Sequence, residues 1–480
     1  MERVKKVNTS TSKISLGFKG LVTSVDESIL GAEYSPMAYN FTFRKGALKS
    51  DLGIDYATGY YPQAEIFRRD LPAFAKDAKI VDVFVYHRRE NGAYDDRLLV
   101  QTSAGVFFQT KIFEDDIWHV LIEPNTKGRV CGASYNYDGK DVFLLSGEDV
   151  GLYVYNGETS TKVEDGPGFS SIAIHYERVF GTVNGKENQV WFSSSLDPTN
   201  WRVSGDEAGY VNFHDECGEI IKVVSFLGYL YIFREHGIYR LTAYGDQEEF
   251  SLKKMFTDTG RIYKDTIVLC GNKIIFYTDE GLHAFDGYSV SRLDFELPLI
   301  HTAYTACGAY LDDKYYLACK AGLEDFYDYV SDNNCIIECD LKEKTVSILA
   351  PYDASRLVAL KVHHATDVLA VGTRVNTNRL HRIDNKGALF GVSTDKFYRS
   401  PYNDFGTDKL KIVREIVVDT KYPLAVTIIT DGKKKTIEFE GKSTPQKAFV
   451  DRCGHKIGFY ITTSSMYNHL GPVKVKINTL

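Results

Sequence analysis

Val142-Phe143-Leu144-Leu145-Ser146-Gly147-Glu148-Asp149-Val150-Gly151-Leu152-Tyr153-Val154-Tyr155-Asn156-Gly157 contains two strands and two turns. The block Val142 to Leu145 is apolar without interruption, as in a short strand covered on both faces. A polar turn follows, and Gly151 opens a second run of aromatic and β-branched residues, which suit a pleated, buried surface. Asn156-Gly157 supplies the positive φ angles of a tight hairpin turn.

The same phrase recurs on both sides of this run. Upstream it reads Leu98-Leu99-Val100 and then Gly105-Val106-Phe107. Downstream come Val179-Phe180 with Val190-Trp191-Phe192, and Leu230-Tyr231-Ile232-Phe233 with Gly237-Ile238-Tyr239. Next is Ile274-Ile275-Phe276 with Gly281 to Phe285 and the turn Asp286-Gly287. Tyr315-Tyr316-Leu317 pairs with Cys335-Ile336-Ile337 across an acidic, Tyr-rich insert. The last copy joins Val368-Leu369-Ala370-Val371 to Leu380-His381-Arg382-Ile383. The second strands recur after about 46, 39, 47, 44, 54 and 45 residues, a spacing that fits four short strands per repeat. One such sheet cannot bury both faces alone, whereas a closed ring of sheets can. The expected fold is therefore all-β, a β-propeller of about seven blades. Amphipathic crossover helices, which a parallel α/β fold requires, are missing. The best helical stretch is short, from Gln63 to Lys79.

The ends read differently. A loop from Phe397 to Gly406 precedes strands at Ile412 to Val418, Leu424 to Thr430, Thr436 to Phe439, Lys456 to Thr462 and Val473 to Ile477. That density predicts a small C-terminal β-sandwich. The domain expectation is an N-terminal segment over 1–60 that docks on or closes the ring, a propeller over 61–395 and a sandwich over 396–480.

Composition sets limits on function. The chain has 480 residues, 44% apolar and 25% charged, with 28 Phe, 32 Tyr and 3 Trp. These are values of a packed globular protein rather than a disordered one. Net charge is −7 and the pI is about 6.0, so tight binding to a phosphate backbone is disfavoured. The one dense basic cluster, Lys433-Lys434-Lys435, is expected in a solvated hairpin turn. Eight scattered cysteines without a Cys-x-x-Cys pair suggest reduced core thiols rather than a zinc site or disulfide framework. Cys335 and Cys339 would share one sheet face. The N-terminus lacks a secretory pattern, and no run is long enough to span a bilayer, so folding in a reducing cytoplasm is expected.

Chemistry-bearing motifs are sparse. Ser195-Leu196-Asp197-Pro198-Thr199 begins like a sialidase Asp-box, but Thr199 stands where glycine belongs. Asp95-Asp96, Asp115-Asp116 and Asp312-Asp313 sit at expected turns, and Asp138-Gly139-Lys140-Asp141 reads as a hairpin rather than a calcium loop. Neither a nucleophile elbow nor a phosphate-binding loop occurs. His363 and His364 are adjacent and would point to opposite faces of a strand. No cofactor and no metal are expected.

Gln189-Val190-Trp191-Phe192-Ser193-Ser194-Ser195-Leu196-Asp197-Pro198-Thr199-Asn200-Trp201 resembles a phrase common in tailed-phage virion proteins, the β-propeller tail nozzle or hub proteins that include the packaged-DNA stabilisation type. Asn40, Gly46-Ala47-Leu48-Lys49 and Gly53-Ile54 are similar to the start of such proteins, and the run from Ser400 to Asp431 resembles their terminal sandwich. The resemblance implies a structural virion protein rather than an enzyme. It would form a homo-oligomeric ring, a hexamer by that resemblance, against tail or portal-adaptor neighbours, with DNA passing without tight binding. Trp191, Phe192, Asp197, Pro198, Asn200 and Trp201 are expected to be scaffold, a blade-to-blade corner with Trp201 covering the turn. The acidic insert from Asp325 to Asn334 is an expected interface or channel loop. Three other readings compete: a glycan- or receptor-binding propeller, a propeller glycoside hydrolase with two facing carboxylates, and a WD-repeat scaffold, which lacks its Trp-Asp dipeptide here.

Overall fold

The computed structural model describes residues 10–57, 78–104, 107–111, 119–122, 128–203, 207–257, 260–298, 300–323, 332–363, 365–374 and 377–480. The helical stretch expected at 63–79 lies outside them apart from Ala78 and Lys79. Asp115-Asp116, His364 and most of the acidic insert also lie outside.

Six four-stranded antiparallel sheets follow one another along the described residues, and a six-stranded sheet supplies the seventh blade. Blade one is Ile80–Tyr86, Arg97–Thr102, Phe107–Lys111 and His119–Ile122. Blade two is Cys131–Tyr137, Lys140–Gly147, Gly151–Tyr155 and Ser160–Lys162. Blade three is Phe169–His175, Arg178–Val183, Gln189–Phe192 and Gly209–Asn212, and blade four is Ile220–Phe226, Tyr229–Arg234, Gly237–Thr242 and Ser251–Thr257. Blade five is Val268–Cys270, Lys273–Thr278, Gly281–Phe285 and Val290–Arg292; blade six is Ile300–Leu311, Lys314–Ala321, Cys335–Asp340 and Thr345–Leu349. Blade seven takes Ala354–Val362, Ala365–Gly372 and His381–Asp384 from the middle of the chain, and its fourth strand is Gly53–Tyr56. The innermost strand of blade seven packs beside that of blade one, so the ring closes. The protein is an all-β, seven-bladed propeller carrying a β-sandwich.

The recurring sequence phrase falls on the second and third strands of every blade. The second strands are buried on both faces, as at Leu98, Leu99 and Val100; among the third strands Cys335–Asp340 is buried at every position, while Gly151–Tyr155 and Gln189–Phe192 are partly half-buried. Aromatic side chains fill the gaps between sheets. Phe233 meets Phe276 across blades four and five at 5.7 Å between ring centres, and Tyr86 meets Phe143 across blades one and two at 5.7 Å. Such pairs combine a large buried area with a preferred edge geometry.

Both ends of the chain meet in the sandwich. One sheet is ordered Ser10–Leu16, Val473–Thr479, Lys411–Val418, Gln446–Gly454. The other is ordered Met37–Tyr39, Lys396–Arg399, Ile457–Thr463, Leu424–Thr430, Lys433–Phe439. Val413, Ile416, Val426, Ile428, Phe459 and Val475 fill the space between them. Asn40 fastens this body to blade six. Its amide nitrogen donates to the carbonyls of Ala350 (2.6 Å) and Asp395 (2.8 Å), and its amide oxygen accepts from the Ala350 N–H (2.9 Å).

Two sequence expectations need correction. Lys433 to Lys435 begin a strand; the turn before them is Asp431-Gly432, both at positive φ. Lys435 donates to the Val450 carbonyl at 2.6 Å, so it ties two sheets instead of standing at a solvated tip. The sandwich also contains Gln446–Gly454, which the apolar pattern missed because most of its side chains are polar or exposed.

Candidate functional site

The innermost strand of a propeller blade has no partner on its inner edge, so that edge and the side chains near it border the central channel. Here that geometry gathers charge. A cavity of about 630 Å³ on the axis is lined by residues of all seven blades. One mouth carries Asp82 from blade one, Arg129 before blade two, Lys222 from blade four, Lys264 and Asp265 before blade five, and Arg356 from blade seven. Glu148, exposed, stands at the rim.

Arg356 is the centre of this cluster. Its Nε donates to Asp82 at 2.9 Å, and its terminal nitrogen lies 2.6 Å from Asp265. Asp265 also receives Arg129 at 3.3 Å, and Arg129 donates onward to the Ser355 carbonyl at 3.2 Å. A short 3₁₀ turn, Lys264–Thr266, presents Lys264 and Asp265 together; the Thr266 hydroxyl closes it on the Tyr263 carbonyl at 2.6 Å. Lys222 donates to the Ile267 carbonyl (2.7 Å) and Lys264 to the Ser170 carbonyl (2.7 Å). Among the described residues neither lysine forms a salt bridge.

Burial and charge pull these groups apart. Loss of water raises the Asp82 carboxyl above its usual range, more than Arg356 lowers it. Burial also acts on Asp265, but Arg356, Lys222 and Arg129 outweigh it and hold that carboxyl low. Burial works against the Arg356 guanidinium too, yet its two carboxylates keep it firmly charged. The Lys222 amine is pushed down to about 8 by burial, and Lys264 is lowered for the same reason.

The segment that resembles phage virion proteins lies on the opposite face. Trp191 stacks on Tyr210 at 5.1 Å, with the Lys186 ammonium 4.1 Å from the indole. Phe192 is buried against Phe250. Asp197 accepts from the Thr199 N–H and hydroxyl, at 2.9 and 2.6 Å, which makes an Asx turn. The Pro198 carbonyl accepts from the Trp201 indole at 2.8 Å, and the Asn200 carbonyl accepts from the Ser194 N–H at 3.1 Å. Trp201 is buried against Phe169 and packs with Tyr135, Val142 and Leu144 of blade two. Asp197 through Trp201 thus form one corner between blades two and three, while Trp191 and Phe192 sit on the strand leading to it. A groove of about 790 Å³ runs beside that corner, with Asp138, Asn156, Asp165, Asp197, Asn200 and Glu207 on its walls.

His363, expected to fill a core or surface role, stacks on Tyr94 at 4.5 Å. Asp138, Asp312 and Asp313 occupy hairpin turns at positive φ. All eight cysteines are free, six of them buried, and Cys335 and Cys339 lie on one strand. No group of His, Cys, Asp or Glu among the described residues could hold a metal ion. No helix among them is long and apolar enough to cross a membrane.

No family model and no curated protein matches this chain. Solved structures do. BBS1N in complex with ARL6DN aligns at 10% identity over 64% of this chain and 96% of its own, with a TM-score of 0.41. The Neurospora crassa Pan2 WD40 domain aligns at 11% identity over 70% and 95%, also at 0.41. A quinonprotein alcohol dehydrogenase-like protein from Bacteroides thetaiotaomicron aligns at 13% identity over 58% and 67%, at 0.36.

Proposed function

We propose that this chain is a structural virion protein of a tailed phage, a tail nozzle, hub or neck component that assembles with copies of itself into a ring. The observation that carries this reading is an apolar belt on the face opposite the charged mouth. Leu196, Tyr176, Tyr244, Leu227 and Tyr288 are large side chains, each more than half exposed, on neighbouring turns of blades three, four and five. Tyr176 rests edge-on against Tyr244 at 5.2 Å, and its hydroxyl donates to the Gly228 carbonyl beside Leu227. Contiguous exposed apolar patches of this kind mark protein contacts. The resemblance of the Gln189 to Trp201 segment supports the virion assignment, and Leu196 of that segment is part of the belt.

The scaffold suits such a role. Gly53–Tyr56 latches blade seven, Ser10–Leu16 pairs with Val473–Thr479, and Asn40 joins the sandwich to blade six. Each tie links residues hundreds of positions apart, so the two bodies resist being pulled open. Net negative charge keeps DNA from adhering to the outside.

Mass photometry and electron microscopy of the purified protein test the reading. A closed ring that dissociates when Leu227 and Tyr288 are both changed to Asp supports it. A monomer at high concentration, with the protein absent from purified virions, overturns it.

A second reading, a glycan-binding propeller, rests on the polar groove beside Trp201. A glycan array on the isolated monomer separates the two.

A further inference from the structure

The axial cavity has an excess of positive charge that the protein itself does not balance. Arg129, Lys222, Lys264 and Arg356 face Asp82, Asp265 and the exposed rim residue Glu148. Both buried carboxylates are already engaged by the arginines. Among the described residues Lys222 and Lys264 donate only to backbone carbonyls, and each ammonium has three N–H groups. Two buried ammonium groups in one cavity that share Asp265 as their nearest counter-charge, itself already bound by both arginines, are costly to keep charged. The cost falls when an anion shares them. Beyond the charged end, the walls are apolar, with Phe84, Ile172, Val268, Tyr310 and Val358 partly buried along the cavity. Its volume lies within the usual range for a small-molecule site, which is about 300–1,000 Å³.

We propose that this axial cavity is an anion site that takes a phosphate group, with Lys222 and Lys264 as its primary ligands and Arg129 and Arg356 completing the charge around it. The chemical class is inorganic phosphate or a phosphate monoester whose body lies along the Phe84, Ile172 and Val358 wall. Asp82 and Asp265 are positioning residues: they fix the two arginines and offset the repulsion between them. The site is independent of any ring interface, because it lies on the axis and away from the apolar belt.

Isothermal titration of the full chain with inorganic phosphate and with phenyl phosphate, at fixed ionic strength, tests the proposal. Both should bind, phenyl phosphate more tightly if the apolar wall is used and equally if the ligand is free phosphate. Lys222→Met with Lys264→Met should weaken binding by about a hundredfold, on the basis of roughly tenfold for each charged hydrogen bond lost. The single Lys222→Gln variant, which keeps a donor, should lose about tenfold and guards against a misfolded double variant. Absence of binding to the unaltered chain at millimolar ligand overturns the site. Unchanged affinity in a folded Lys222→Gln or double variant does so as well. ³¹P line broadening on the unaltered chain, reversed by excess unlabelled sulfate, gives a second readout that needs no variant.

Discussion

Arg356 on the innermost strand of blade seven donates to Asp82 on the innermost strand of blade one at 2.9 Å, so the seam of the ring is crossed by a buried ion pair. The rest of the seam is packed by Leu360, Leu369 and Val371 against Ile80, Val83 and Leu98. The ion pair is the polar member of an otherwise apolar junction, which makes it sensitive to the loss of either partner.

Arg356→Met leaves Asp82 buried without its cation and removes one of the two cations on Asp265. Breaking a buried pair in this way costs about 3–5 kcal/mol. Urea unfolding should show a lowered midpoint, and the paired change Asp82→Leu with Arg356→Met should recover most of it. Equal stability of Arg356→Met and the unaltered chain would contradict the role assigned to the seam.

His175 gives the acid limb of stability. It is 2% exposed, its Nδ1 pairs with the Ser225 hydroxyl at 2.9 Å, and burial pushes its pKa down to about 4. The unfolded chain takes up the proton near 6.5 and the folded chain only near 4. Between those values the unfolded state binds more protons, so stability falls as pH drops through that window, by up to about 3 kcal/mol. His175→Gln should flatten this part of a stability-against-pH curve measured by urea titration.

Lys222 gives the alkaline limb. Its folded amine titrates near 8 and its unfolded one near 10.5, so between these the unfolded state holds the extra proton. Stability of the anion-free chain should therefore rise as pH increases from about 8 to about 10.5. Saturating phosphate should reduce this rise, because the bound anion favours the charged ammonium. Thermal unfolding in phosphate and in chloride, at matched ionic strength, measures the difference.

Gly53 tests the latch. A Cβ at this position would lie 1.9 Å from the Lys386 carbonyl oxygen and 2.4 Å from that of Ala388, both fixed backbone. Gly53→Ala should force Gly53–Tyr56 out of register with His381–Asp384. Amide exchange of residues 53–56 should then accelerate while blades two to five keep their protection. Uniform protection would show that the strand tolerates the shift.

The architecture was legible because the second strand of each blade is sealed on both faces and so appears as a dense apolar block. The first strands were harder to read. Ile220–Phe226 and Ala354–Val362 bury only about every third position, because their free edge borders the channel. Some fourth strands carry little signal: Ser160–Lys162 and Val290–Arg292 are half-buried at one end and exposed beyond it. The corner from Asp197 to Trp201 was legible because its turn chemistry is local. The charged mouth was not, since Asp82, Lys222, Asp265 and Arg356 are brought together only when the ring closes and no spacing announces them. The strand at Gly53–Tyr56 looked like part of an N-terminal segment, and its partner in blade seven lies at the far end of the repeat.

That distance governs how the molecule is made. Tyr56 leaves the ribosome some 325 residues before His381, its partner in blade seven. At about 5–20 residues per second the early strand waits tens of seconds, its edge unpaired while six blades take shape behind it. An unpaired edge is a template for wrong partners. Maturation of this chain should thus be slow, completed in one late step, and helped by any chaperone that shields the nascent N-terminal region until the seventh blade emerges.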